Sequence, residues 1–241
     1  MKRTLLKTLF AAAALALAGS GALAQTKLKW AHVYETGEAY HKWALWAADE
    51  IKKRTANRYE VQVFPASSLG KETDINQGLT LGTVDIIYTG QAFAARNHPP
   101  LAIGGAPFMF RDFAHWKKYS ESPVLQELMD GYAKKGGNRP LAVTYYGVRH
   151  TTANKAINKP EDMAGLKLRV PDAPLYVMYP KSIGANATPI AFAEVYLALQ
   201  NKTVDAQENP LPTIEAKKFY EVQSHINLTG HITEMLLTIV S

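Results

Sequence analysis

The sequence predicts an α/β fold made of two lobes with a cleft between them, and three observations carry that expectation. Strand-like and helix-like segments alternate along the chain, the grammar of α/β sheets. A stretch of the first half is echoed in the second, as if one α/β unit occurred twice. Finally, 47% hydrophobic residues and no cysteine describe a chain that holds itself together by a core and not by disulfides.

The N-terminus stands apart from this pattern. Lys2, Arg3 and Lys7 precede an apolar run from Leu9 to Leu17, and Ala22-Leu23-Ala24 offers the small residues of a cleavage site, so residues 1–24 read as a signal peptide cut before Gln25. The apolar run is too short for a membrane span. Of 27 Lys+Arg residues, those three leave with the leader, so 24 remain against 21 Asp+Glu, a balance of +3. A weakly positive surface suits small anions. It lacks the dense basic stripe that nucleic acid requires.

In the mature chain Lys27 to Val33 alternates as a strand, and the loop Tyr34 to Gly37 leads into a helix over Glu38–Arg54 with Lys52, Lys53 and Arg54 at its C-terminal end. Tyr59–Phe64 is the next strand, stopped by Pro65. Lys71–Leu81 reads as a helix, Val84–Tyr88 as a buried strand, Asp112–Lys135 as one or two helices broken at Ser122-Pro123, and Leu141–Tyr146 as a strand. The pattern then restarts: "YEVQVFP", a helix and "LGTVDIIYTG" are answered by "LKLRVPD", a helix near Tyr176–Ile183 and "FAEVYLALQNKTVDAQENP". Clefts between such lobes are where small ligands bind.

Most chemistry is excluded by what is missing. His32, His41, Glu35 and Glu38 flank one loop, but without the spacing of a metal motif, and they are better read as hydrogen-bonding groups at a strand end facing a helix start. There is no G-x-S-x-G elbow, Walker A loop or G-x-G-x-x-G, and no cofactor is expected. The arginines say more. Arg149 follows "LAVTYYGV" and Arg169 lies within "LKLRV", and a guanidinium presents forked donors that match a carboxylate. Each could equally pair with a structural carboxylate such as Glu194 or Asp172. Gln207-Glu208-Asn209-Pro210 is similarly open, as a ligand-reading strand end or a loop that caps its own backbone.

The segments "FPASSLGKETDINQGLTLGTVDI", "YYGVRHTTANKAINKPEDMAGLKLRVPDAPLY" and "ANATPIAFAEVYLALQNKTVDAQENPLPTIEAKKFYEVQ" resemble the extracytoplasmic solute-binding subunits of TRAP transporters. The resemblance implies a periplasmic-binding-protein-like fold: two α/β lobes, joined by hinge strands and a long helix, that close on an organic acid and deliver it to a membrane permease. It implies no enzyme activity and no membrane insertion of the chain itself. Lobe I would span 25–147 and lobe II 148–233, with 234–241 starting a return strand to lobe I. By this resemblance Arg169 would clamp the ligand carboxylate with help from Arg149 and Asn209, Phe192 would line the pocket, and Asp172 would turn toward the ligand. From the first lobe, His32, Glu35, Thr89 and Gln91 would read the rest of the molecule. Ala206 departs from the family, which often has glycine there. Members usually continue several tens of residues past "TGHITEMLLTIVS", so the chain is expected to be a fragment or a truncated product, the latter with exposed apolar surface. Because Glu35 facing the ligand would repel a second carboxylate, a sugar acid such as a hexuronate is expected, with a C4-dicarboxylate, or a periplasmic enzyme acting on organic acids, as the alternatives.

Overall fold

The computed structural model describes residues 25–241; the leader expected over 1–24 lies outside the described residues. In the first half, β1 (Thr26–Ala31) and β2 (Tyr59–Phe64) pair in parallel from Thr26↔Tyr59 to Ala31↔Phe64. A parallel pair needs a crossover, and α1 (Ala39–Arg54) supplies it, burying Tyr40, Ala44 and Ala48 at four-residue spacing. Helix α2 (Glu72–Leu81) buries Ile75 and Leu79 and returns the chain to β3 (Ile86–Gly90) on the other side of β1. The short α3 (Gln91–Ala94) and a 3-10 stretch (Pro99–Gly105) follow. The expected break separates α4 (Phe113–Ser120) from α5 (Pro123–Gly136): Ser122 caps α5 by accepting from the Leu125 N–H at 3.3 Å, and Pro123 takes the first helical position.

The second half repeats the first. Strands β5 (Lys167–Val170), β6 (Asn186–Pro189) and β7 (Ala206–Pro210) are arranged β7-β5-β6, as β3-β1-β2 are in the first half. Helices α6 (Met178–Ser182), α7 (Val195–Gln200) and α8 (Leu211–Ala216) connect and cover them. The echoed Thr-Val-Asp performs one task twice. The Asp85 N–H donates to the Lys29 carbonyl at 3.0 Å while its Oδ2 accepts the Lys29 N–H at 2.7 Å. Asp205 does the same to Lys167 at 2.9 Å in both bonds. The repeat therefore matches β1 with β5 and β3 with β7. The sequence echo had set Tyr59–Phe64 against β5, because two short apolar strands look alike and period-two alternation does not reveal which neighbour each will pair with.

Two long antiparallel strands, β4 (Arg139–Ala153) and β8 (His225–Val240), run through both halves and complete one sheet of order β2-β1-β3-β8-β4-β7-β5-β6. Strand β4 continues well past Tyr146, because its polar second half finds partners in β7 and β8. The expected boundaries at 147/148 and 233/234 thus fall inside continuous strands. At the first, the β4–β8 register shifts between Tyr145 and Gly147, and Gly147 has φ +128, where a Cβ would sit 3.1 Å from the Pro210 Cβ. Trp30, Ile87, Leu125 and Leu236 belong to the core of the first half. Met163, Leu168 and Tyr179 belong to one core of the second, and Val195, Leu199 and Phe219 to another. Among the described residues no helix is long and apolar enough to cross a membrane.

Candidate ligand-binding site

A cavity lies between the halves, where β5 and β7 end, the usual ligand position in open α/β sheets. Arg149, Arg169, Asn209, Phe192 and Asp172 line it. The two arginines do not emerge from adjacent strands: β7 lies between β4 and β5, and it places Asn209 between them.

Their environments differ sharply. Arg149 is fully engaged. Its Nε donates to Glu208 Oε2, its Nη2 to Glu208 Oε1 at 2.8 Å and to Asn209 Oδ1 at 3.2 Å, and its Nη1 to Glu234 Oε2 at 2.5 Å. Burial opposes charge here, but Glu208 and Glu234 outweigh it and hold the Arg149 pKa well above the ordinary value. In turn Arg149 and His231 overcome burial to bring Glu208 down to about 2. Asn209 is oriented by this cluster, giving its Nδ2 to Gln207 Oε1 at 2.7 Å, while Gln207 donates to Thr152 at 3.0 Å. Gln207 to Asn209 are therefore a buried strand and not a self-capping loop. Ala206 sits in the same regular strand, where glycine is not needed.

Arg169 has no carboxylate partner among the described residues. Its Nε and Nη2 both donate to the Ile190 carbonyl, at 2.9 and 2.7 Å, and its Nη1 is buried without any partner. Burial lowers its pKa to about 10, still far above neutrality. A buried cation with a spare donor on a cavity wall is poised for an anion. Neither expected structural partner reaches it; Asp172 instead accepts from Arg96 through its backbone carbonyl, at 2.5 Å.

The lining also holds groups that sequence reasoning missed. Glu72, Lys71 and Thr73 come from the start of α2, and Glu234 and Tyr176 from β8 and the 3-10 turn Pro174–Val177. Glu72 Oε1 accepts from the Gly90 N–H at 2.8 Å and the Thr89 hydroxyl at 2.9 Å, yet burial pushes its pKa up to about 7. Glu234 Oε1 accepts from the Tyr176 hydroxyl, and burial raises its pKa too, opposed by Arg149. The two carboxyls converge on Gly90, where a Cβ would lie 3.0 Å from Glu234 Oε1 and 3.7 Å from Glu72 Oε1. A signal did exist: Glu234 is a lone charge in the apolar run "ITEMLLTIV", as Arg169 is in "LKLRV".

Four expected residues stand behind the lining. Thr89 is buried, orienting Glu72 and accepting from Asn76 at 2.8 Å. Gln91 is buried beside Gly104 and Gly105, with both amide atoms unpartnered. His32 Nε2 is 3.2 Å from His41 Nδ1, and burial, with His41 beside it, lowers its pKa to about 4. Glu35 pairs with Lys217 at 2.9 Å. Glu35, expected to face the ligand, is therefore not among the cavity lining, whereas Glu72 is.

The chain has relatives among known proteins. Residues 30–241 match the family model described as bacterial extracellular solute-binding protein, family 7. A solute-binding protein of Roseobacter denitrificans is 37% identical over 219 residues, 90% of this chain and 67% of the relative. Its structure with bound L-galactonate superposes with a TM-score of 0.85, covering 89% of this chain and 71% of that one. A TRAP periplasmic solute-binding protein from Polaromonas, bound to D-erythronate, is 37% identical with a TM-score of 0.86 over 90% of this chain and 72% of that one. One from Shewanella oneidensis with bound succinate is 28% identical with a TM-score of 0.87 over 90% and 71%. The chain belongs to the bacterial extracellular solute-binding protein family 7, whose solved relatives are two-lobed TRAP periplasmic binding proteins.

Proposed function

We propose that this chain is the periplasmic solute-binding subunit of a TRAP transporter, capturing a hydroxylated monocarboxylate of the sugar-acid class and handing it to a membrane permease. The observation that carries the reading is the buried, unpartnered Nη1 of Arg169 on the cavity wall. A carboxylate there would accept a charge-assisted bond and neutralise a desolvated cation. Arg149 then acts mainly through Asn209 and Glu208, with its own donors already engaged. Phe192 supplies an apolar wall for the ligand's carbon chain, and Asp172, at the rim, a further acceptor. Elsewhere in the lining, the Glu72 and Glu234 carboxyls and the Tyr176 ring suit hydroxyl groups better than a second carboxylate. Thr89 supports Glu72, while His32, Glu35 and Gln91 act from behind the lining. Export through residues 1–24 and rotation of lobes 25–147 and 148–233 about β4 and β8 belong to the same reading.

Lys71 favours a second reading, a C4-dicarboxylate, because it adds a cation to the lining. A thermal-shift screen with L-galactonate, D-erythronate, glucuronate, galacturonate, sialate, succinate and malate separates the two. The sugar acids are expected to raise the melting temperature. A response confined to succinate and malate assigns the dicarboxylate, and conversion of any acid to product overturns a binding role.

A further inference from the structure

The two halves also meet through side chains that stand outside the cavity lining. Glu35 lies in the loop between β1 and α1, on the first half. Lys217 directly follows α8, and its neighbours Ile214 and Phe219 are buried in a core of the second half, so it travels with that half. Lys217 Nζ and Glu35 Oε1 are 2.9 Å apart, with the side chains only 15% and 30% exposed. The loop that presents Glu35 also meets α8 directly: Glu38 Oε2 accepts the Glu35 N–H at 2.8 Å, and Glu38 Oε1 accepts the Thr213 hydroxyl of α8 across the halves at 2.7 Å. Lys217 Nζ also sits 5.1 Å from the centre of the Phe192 ring, which lines the cavity.

We propose that Lys217 and Glu35 are positioning residues for ligand capture: their ion pair bridges the halves when the cleft is shut, and so sets affinity for an acid that neither residue touches. The proposal rests on the reading of the cleft as a carboxylate site. A contact made in one conformation and not in the other shifts the balance between them, and apparent affinity follows the population of the competent form. Another ion pair between the halves, Arg96 with Asp172, has side chains 44% and 49% exposed. Water and salt screen such a pair, so the sheltered Lys217–Glu35 pair contributes more. Lys217 also braces Phe192, which links the pair to the shape of the cavity wall.

The test combines Lys217→Met, which keeps the stem over Phe192, with Lys217→Glu and the exchanged pair Lys217→Glu/Glu35→Lys. Calorimetry with L-galactonate and D-erythronate reads affinity. Because the chain has no cysteine of its own, Lys52→Cys and Lys181→Cys place one spin label on each half, and the label distance distribution reads closure with or without any acid. Lys217→Met is expected to weaken binding about fivefold and to move the distribution toward longer separations. Lys217→Glu should be worse, and the exchanged pair should return to within about twofold of the parent. Unchanged affinity and distribution in Lys217→Met overturn the proposal, as does a loss that the exchanged pair fails to restore. If neither acid binds the parent protein, the sugar-acid reading fails by itself, and the label distribution still decides the role of the pair.

Discussion

Replacing Arg169 with alanine removes the unpartnered cationic donor on the cavity wall. In the folded chain its Nε and Nη2 hold the Ile190 carbonyl at 2.9 and 2.7 Å, and Nη1 has no partner. The variant strips one backbone acceptor, costing about 1–3 kcal/mol of stability, but it also removes a desolvated cation, which offsets part of that cost. Binding has no such compensation. A carboxylate entering the variant cleft is desolvated without its charge-assisted donor, and truncating one partner of a buried charged pair costs about 2–5 kcal/mol. At about 1.4 kcal/mol per decade, that is a loss from about 30-fold to several thousandfold in Kd. Arg169→Lys keeps the charge but not the fork, and should fall between the variant and the parent. Calorimetry with the tightest acid of the screen measures both, with urea unfolding as the control for folding. An Arg169→Ala protein that unfolds at a similar urea concentration and binds within about threefold of the parent would refute the clamp.

The other predictions concern the groups around that donor. Arg149→Met leaves Glu208 and Glu234 buried without their shared cation, and should cost about 3–5 kcal/mol in urea unfolding, far more than Arg169→Ala; equal stability losses would mean that the two arginines have been assigned the wrong roles. Glu72 has its folded pKa raised from 4.5 to about 7, so the folded state holds the extra proton between those values. Its contribution to stability is present below about pH 4.5 and is lost as pH rises through about 7. The unfolding free energy of the parent minus that of Glu72→Gln should therefore decline across this window. His32, lowered by burial to about 4, acts in the opposite direction in both proteins and cancels in the difference. A difference that stays flat with pH removes the claim that Glu72 is buried as an acid.

The sequence was most legible where local chemistry decides the outcome. Tyr59–Phe64 is a strand at the expected limits, and Ser122-Pro123 breaks two helices because one residue caps and the next cannot donate. The repeated Thr-Val-Asp was visible as a pattern, although its meaning, a carboxylate and an amide both returned to one lysine backbone, needed the fold. Thr89 and Gln91, from the segment that follows "VDIIY", stand behind the lining. A position at a strand end does not say which way the side chain points once a helix begins at Gln91. Glu72 was overlooked because a charge at a helix start is ordinary on a surface.

By itself, then, the sequence determined that two α/β units recur in one chain, that Arg149 and Arg169 lie in or directly after strand segments where each could meet an anion or a structural carboxylate, and that no catalytic or cofactor motif accompanies them. Only the tertiary structure decided which arginine is free. Glu208 and Glu234 lie 59 and 85 residues from Arg149, yet the β4–β7 and β4–β8 registers bring both to its guanidinium. Arg169 receives only the Ile190 carbonyl. Alternation along a strand fixes which face a side chain uses, but pairing across a sheet fixes which charges it meets, and an ion pair between distant residues is set by the second.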